Sequence, residues 1–135
     1  MSAVFVDTVA WIALANTRDA LHGKAREISG RLKLSRATLF TSEFVLLELG
    51  NALASPDFRN NTADFIKNLK AAPAIKIIRS SSDLFDRGLE LFHSRPDKAW
   101  GLVDCTSFVI MTDHGITEAF SEDHHFEQAG FNILL

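Results

Sequence analysis

Two rhythms of hydrophobic and polar positions run along this chain. Short runs rich in β-branched and aromatic residues predict strands at Val4-Phe5-Val6, Thr38-Leu39-Phe40-Thr41, Ile75 to Ile78, Glu118-Ala119-Phe120 and Phe131 to Leu135. Between them the apolar positions follow the helical period. Leu21, Ala25, Ile28 and Leu32 are spaced by four, three and four residues, the stripe of an amphipathic helix over 20–36. Thr8 to Asn16 reads as a short helix. Ser42 can cap another, running from about Glu43 to Ala54 and stopped by Ser55-Pro56. Phe58, Phe65, Ile66 and Leu69 predict a further helix, closed by Pro73. Ser81 or Ser82 caps the next, which extends to about Phe92, and Arg95-Pro96-Asp97 is a turn. Leu102 to His114 is helical again, with Gly115 in the position just past the end.

Strands separated by helical patterns imply parallel strands with helices on both faces, a three-layer α/β/α domain with a mainly parallel central sheet. In such sheets ligands bind beyond the carboxyl ends of the strands. Asp7 stands at one such end, and Ser121, Glu122 and Asp123 at another. There is no internal repeat, linker or low-complexity segment. At 135 residues the chain reads as one domain over 1–135, since two cores would have fewer than ~70 residues each.

Composition narrows the chemistry. A hydrophobic fraction of 47% with 23% charged residues excludes disorder. Cys105 is the only cysteine, which excludes a disulfide framework and a thiolate metal site. The apolar run Val9 to Ala15 is far short of the ~18 residues of a membrane span. No basic segment precedes it and Asp7 interrupts it, so it does not read as a signal peptide. These features point to the cytoplasm. The formal charge is −3, from 14 Lys and Arg against 17 Asp and Glu, so the molecule is not a simple polycation. Charge is nonetheless segregated. Lys24, Arg26, Arg31, Lys33 and Arg36 cluster with only Glu27 opposing them, and Arg59, Lys67, Lys70, Lys76 and Arg79 form a second group. After Lys98 there is neither Lys nor Arg, only Asp104, Asp113, Glu118, Glu122, Asp123 and Glu127. This pattern allows an acidic pocket beside a basic surface, or simply two solvated helices.

Four acids break the local pattern. Asp7 ends the first strand, where it can also cap the following helix. Glu48 sits within Phe44-Val45-Leu46-Leu47-Glu48-Leu49, a helix apolar nearly all round, and is therefore expected to be buried on most sides. A lone ionised carboxylate there requires a partner or a metal. Asp104 repeats the anomaly in Leu102-Val103-Asp104-Cys105, although an acid in a first helical turn also complements the dipole. Asp123 follows the fourth strand, with adjacent Glu122 as its rival. An α/β/α sheet can bring these positions together. At ~6 Å and an effective dielectric of ~20, each pair of ionised carboxylates repels by roughly 3 kcal/mol. Such a cluster needs a cation or some protonation. Hard oxygen ligands select Mg2+ or Mn2+ over Zn2+, and carboxylate-held divalent ions suit phosphodiester hydrolysis.

The ordered set Val4-Phe5-Val6-Asp7-Thr8, Ser42 to Asn51 around Glu48, Trp100-Gly101-Leu102-Val103-Asp104 and Ser121-Glu122-Asp123-His124-His125-Phe126 resembles the PIN-domain nucleases. Among them it is most similar to the VapC-type toxins of toxin–antitoxin pairs. The resemblance spans nearly the whole chain. It implies a PIN fold and a Mg2+-dependent (or Mn2+-dependent) endoribonuclease, with Asp7, Glu48, Asp104 and Asp123 as the acidic quartet that binds metal and carries catalysis. Ser121 matches the family's hydroxyl two residues before the fourth acid, which favours Asp123 over Glu122, and Thr8 matches the small polar residue after the first. It also implies RNA as substrate, a homodimer and a small antitoxin protein as partner. Backbone contacts to RNA would then fall to Lys24, Arg31 and Lys33, with His124 as a contact beside Asp123.

Other features are expected to be structural. His124-His125 reads as a solvated turn rather than a ligand pair, and Cys105, Trp11 and Trp100 as core. A receiver domain would need a late lysine, and a dehalogenase-like phosphatase a second Asp where Val9 stands. The surviving alternative is a PIN-like nucleic-acid- or protein-binding module in RNA processing or regulation, without a toxin role.

Overall fold

Val4, Phe5 and Val6 are completely buried in the computed structural model, which describes residues 2–135. They belong to β1 (Ala3–Val6), the middle strand of a five-stranded sheet. The others are β2 (Thr38–Ser42), β3 (Ile75–Ile78), β4 (Glu118–Phe120) and β5 (Asn132–Ile133), in the order β3-β2-β1-β4-β5 and parallel throughout. A strand buried on both faces needs a continuous apolar run, and Val4-Phe5-Val6 meets that need. The register sets Phe5 beside Phe40 and Ala119, and Val6 beside Phe120. β1 and β4 therefore end side by side, at the point where the strand order reverses direction.

Among the described residues seven helices join the strands: α1 (Thr8–Ala15), α2 (His22–Leu34), α3 (Glu43–Ala52), α4 (Pro56–Ala71), α5 (Ser82–Ser94), α6 (Leu102–Asp113) and α7 (His124–Gln128). The result is the three-layer α/β/α architecture. α1 packs on α2, α3 and α4; α5 lies along α6, and α3 also reaches α6. Ser42 caps α3 by accepting from the Val45 N–H at 3.1 Å. Of the two serines able to cap α5, it is Ser81 that accepts from the Leu84 N–H, at 3.0 Å. Gly115 takes φ +65°, the left-handed conformation that ends α6. The α5–α6 contact depends on Gly88, where an added Cβ would lie 2.7 Å from Thr106 Cγ2. Phe108 anchors the far side with edge-on contacts to Trp100 and Phe126, ring centres 5.1 and 5.0 Å apart.

Three expectations change. Pro56 ends nothing by itself; it opens α4 as its first residue, where a missing N–H costs no hydrogen bond. α7 is an additional helix, one turn long and too short to show a hydrophobic period. β5 is confined to Asn132–Ile133. Cys105, Trp11 and Trp100 are all buried, as expected. Among the described residues no helix is long and apolar enough to cross a membrane.

Candidate active site

The carboxyl ends of β1 and β4 are locked together by backbone and hydroxyl bonds. The Asp7 N–H donates to the Phe120 carbonyl at 3.2 Å. Thr41 Oγ1 donates to the Val6 carbonyl at 3.0 Å while accepting from Trp11 Nε1 at 3.1 Å, which ties β2 and α1 to the residue just before Asp7. Asp7 itself is only 5% exposed. Its side chain makes no capping bond to α1; instead Asp7 Oδ2 accepts from Ser121 Oγ at 3.1 Å. Ser121 Oγ in turn accepts from the Asp123 N–H at 3.0 Å. One buried hydroxyl thus links the first and fourth acids.

Asp104 lies in the first turn of α6, half-buried, where its Oδ2 accepts from the Gly101 N–H at 3.0 Å. Asp123 caps α7 through Oδ1, which accepts from the His125 N–H at 2.9 Å. Glu48 extends from α3 and accepts from Thr8 Oγ1 at 2.5 Å. The expectation that Glu48 is enclosed is corrected: it is exposed, as is Leu47 beside it. α3 is apolar on more sides than the fold covers, so hydrophobicity overstates its burial. Glu43 on the same helix is half-buried and holds Ser80 through its N–H and hydroxyl.

The electrostatics identify an acidic centre. Burial, the largest influence, pushes the Asp7 pKa from 3.8 up to about 7; the charges of Asp104 and Glu48 add to it, while the Thr8 N–H and the Ser121 hydroxyl pull the other way. Burial also raises Asp104, assisted by the charge of Asp123, against the opposing pull of the Gly101 N–H and His125. Among the described residues no Lys or Arg forms an ion pair with Asp7, Glu48, Asp104 or Asp123; the ion-paired arginines and lysine serve Asp83, Asp97 and Asp113. The basic side chain in contact with these acids is an imidazole. His125 Nδ1 is 3.0 Å from Asp104 Oδ2 and 3.4 Å from Asp123 Oδ1, and donor atoms of Asp104, Asp123 and His125 all lie within 4.8 Å of one another.

That donor set fits a divalent cation. Asp104 and Asp123 form one tight group with His125, and the charges of Asp104 and Glu48 act on Asp7 beside it. His125 is the residue that sequence reasoning passed over. Adjacent histidines look like a solvated turn, but an N-terminal cap at Asp123 starts a helix that turns the second ring inward. The first behaves as a surface residue: the His124 side chain is 84% exposed and its ring bonds Glu127 at 2.8 Å. Glu122 is exposed and outside the group. Lys24, Arg31 and Lys33 are exposed along α2. Because α2 leads into β2 at Thr38, it carries Arg31 and Lys33 toward the amino edge of the sheet, opposite the edge that holds the acids. Lys24, nine residues before Lys33, lies ~13 Å away along the axis.

The sequence matches the PIN domain family model over residues 4–132. It is 31% identical over 129 residues, 95% of each chain, to the 23S rRNA-specific endonuclease VapC20 of Mycobacterium tuberculosis. The crystal structure of that VapC20, a sarcin–ricin loop cleaving toxin, aligns with a TM-score of 0.82 and 29% identity over 95% of each chain. VapBC2 from Rickettsia felis, bound to a DNA fragment from their promoter, aligns with a TM-score of 0.70 at 13% identity over 98% of this chain and 97% of that one, a likeness of fold alone.

Proposed function

This chain belongs to the PIN-domain family, and from that premise we propose that it is a metal-dependent endoribonuclease, the toxin of a toxin–antitoxin pair. Asp7, Glu48, Asp104 and Asp123 form its catalytic and metal-binding quartet, with Mg2+ or Mn2+ as cofactor. The observation that supports this reading is that Asp104 and Asp123 lie together, that Asp104 and Glu48 act on Asp7 by charge, and that among the described residues no lysine or arginine pairs with any of the four. In a fold stabilised by ~5–15 kcal/mol, such uncompensated charge is retained where a cation is to be held. A bound divalent ion supplies Lewis acidity and a more acidic water. Asp104 and Asp123 would hold it directly, Asp7 would complete the charge from below, and Glu48, fixed by Thr8, faces solvent where a water or a phosphodiester can reach it. Ser121 keeps Asp7 and the Asp123 backbone in one register.

The 23S rRNA specificity of VapC20 makes ribosomal RNA the first substrate to test. The RNA backbone would run from the acidic edge along α2, contacting Lys24, Arg31 and Lys33, with His124 at the margin of the site. The protein is further proposed to act in the cytoplasm, to bind a small antitoxin and to form a homodimer. Phe85, Leu89 and Phe92 lie on one face of α5 and are 42%, 44% and 47% exposed, an apolar stripe suited to a second copy.

The test is cleavage of ribosomal RNA with and without EDTA, by the natural chain and by Asp104→Asn. Cation stabilisation of the transition state is worth several kcal/mol, so Asp104→Asn should cut at least ~100-fold more slowly. An Asp104→Asn protein that melts lower yet cleaves normally would reduce Asp104 to a helix cap. RNA binding without cleavage at any metal concentration would favour the binding-module alternative.

A further inference from the structure

His125 holds a position that the acidic quartet does not explain. Its ring nitrogen Nδ1 faces two carboxylate oxygens, Asp104 Oδ2 at 3.0 Å and Asp123 Oδ1 at 3.4 Å. Ionised carboxylate oxygens only accept hydrogen bonds, so Nδ1 carries the proton and donates. The backbone completes the arrangement. The Gly101 N–H also donates to Asp104 Oδ2, and the His125 N–H donates to Asp123 Oδ1. Asp104 Oδ2 therefore has two donors, and Asp123 Oδ1 has the His125 N–H with the ring nitrogen 3.4 Å away. Asp104 Oδ1 and Asp123 Oδ2 take no hydrogen bond from a described residue. The ring is held from behind by its neighbour in the chain: Phe126 is fully buried against Phe108. With Phe126 anchored and Asp123 capping the same short helix, His125 has little freedom to leave the two acids.

We propose that His125 is a positioning residue: by donating from Nδ1 to Asp104 Oδ2, beside Asp123 Oδ1 already held by the His125 N–H, it orients the pair so that Asp104 Oδ1 and Asp123 Oδ2 are the atoms presented to the divalent cation. The proposal rests on the reading of these acids as a metal site and specifies how that site is kept open and oriented. The role differs from direct ligation, in which Nδ1 would have to give up its proton and present a lone pair. An imidazole ligand would favour Mn2+ over Mg2+, whereas an orienting donor supports both ions alike.

The test is calorimetric titration of the full chain with MgCl2 and MnCl2, comparing the natural protein, His125→Ala, His125→Asn, His125→Gln and Asp104→Asn. A far-UV melt in EDTA beside each titration separates loss of fold from loss of affinity. Removing an orienting partner of a metal ligand typically weakens binding by about 10–100-fold, and His125→Ala should do so for both ions. In His125→Asn the amide nitrogen takes the place of Nδ1 and should restore affinity to within about threefold; in His125→Gln it sits farther out and should not. The Asn–Gln comparison decides the matter even if the Ala variant does not fold. Unchanged affinity in His125→Ala overturns the positioning role and leaves the metal site standing. Equal loss in the Ala and Asn variants, greater for Mn2+ than for Mg2+, overturns it in favour of a ligand. Binding of neither ion by the natural protein, or undiminished binding by Asp104→Asn, overturns the metal site itself and this role with it.

Discussion

Replacing Asp7 by Asn should make the metal-free protein more stable at neutral pH and blind to Mg2+. The carboxyl is 5% exposed and its pKa rises from 3.8 to about 7, chiefly through burial and then through Asp104 and Glu48. Because the folded-state value lies above the unfolded one, the folded protein binds this proton more tightly. The stabilisation that goes with the proton is complete below about pH 4 and is lost as pH rises toward 7. Each pKa unit is worth about 1.4 kcal/mol, so ionising Asp7 costs the metal-free fold up to ~4 kcal/mol. Asn cannot ionise and can still accept from Ser121, though its amide protons need a partner, a cost of ~1–3 kcal/mol. The expected net gain of Asp7→Asn at pH 8 in EDTA is therefore about 1–3 kcal/mol, shrinking or reversing by pH 4.5. Magnesium narrows or reverses the difference, because a ligand present at 100 times its Kd stabilises the native state by ~2.7 kcal/mol and only the natural protein should collect it. Urea unfolding followed by tryptophan fluorescence suits the measurement, since Trp11 and Trp100 are both buried. If the stability difference between the two proteins is the same at pH 4.5, 6 and 8 in EDTA, Asp7 is not held near neutrality by its surroundings and the electrostatic account of the site fails.

Other consequences reach beyond that residue. RNA binding should weaken with added salt, and Arg31→Glu with Lys33→Glu should reduce the salt slope by about 0.7 per lost contact; an unchanged slope would move the RNA away from α2. Leu89→Glu should convert a dimer into a monomer in light scattering while RNA cleavage per folded chain is measured alongside; a natural protein already monomeric at micromolar concentration would exclude the α5 interface. Gly88→Ala gains ~1 kcal/mol of helix propensity but drives a methyl to 2.7 Å from Thr106 Cγ2, whose hydroxyl is tied to the Val103 carbonyl. The clash costs ~1–3 kcal/mol, so urea unfolding should show a net loss that added Thr106→Ser relieves; a more stable Gly88→Ala protein would mean that α5 and α6 separate easily.

Much of the framework is legible because it rests on short-range chemistry. β3 and β4 fall at Ile75–Ile78 and Glu118–Phe120, where β-branched and aromatic runs predict them. Ser42 and Ser81 act as caps, and Gly115 closes α6, for reasons local to a few residues. Glu48 shows the limit of such reasoning. A run of apolar neighbours states how hydrophobic α3 is, not which side the sheet covers, and both Leu47 and Glu48 lie on the uncovered side. His125 shows a second limit. Its position depends on a one-turn helix whose only local signal is Asp123 in the capping position, and on the side chain meeting Asp104 from a distant part of the chain.

The acids also show why a structural and a functional role need not compete. Asp104 caps the start of α6 with Oδ2, and Asp123 caps α7 with Oδ1. In each case the cap consumes one oxygen and, by doing so, fixes the direction of the other. The energy that orients the site is then the ordinary ~1 kcal/mol of a helix cap, spent whether or not a cation is present. Asp7 is the exception. It makes no cap, lies deeper than the rest and keeps its charge at a cost of several kcal/mol. A carboxylate whose hydrogen bonds from the Thr8 N–H and the Ser121 hydroxyl an amide oxygen can also accept, and whose charge strains the fold at neutral pH, has no structural reason to be Asp rather than Asn. It follows that Asp7 is the member of the quartet whose substitution separates stability from function most cleanly: the other three can lose both together, while Asp7→Asn should raise one as it removes the other.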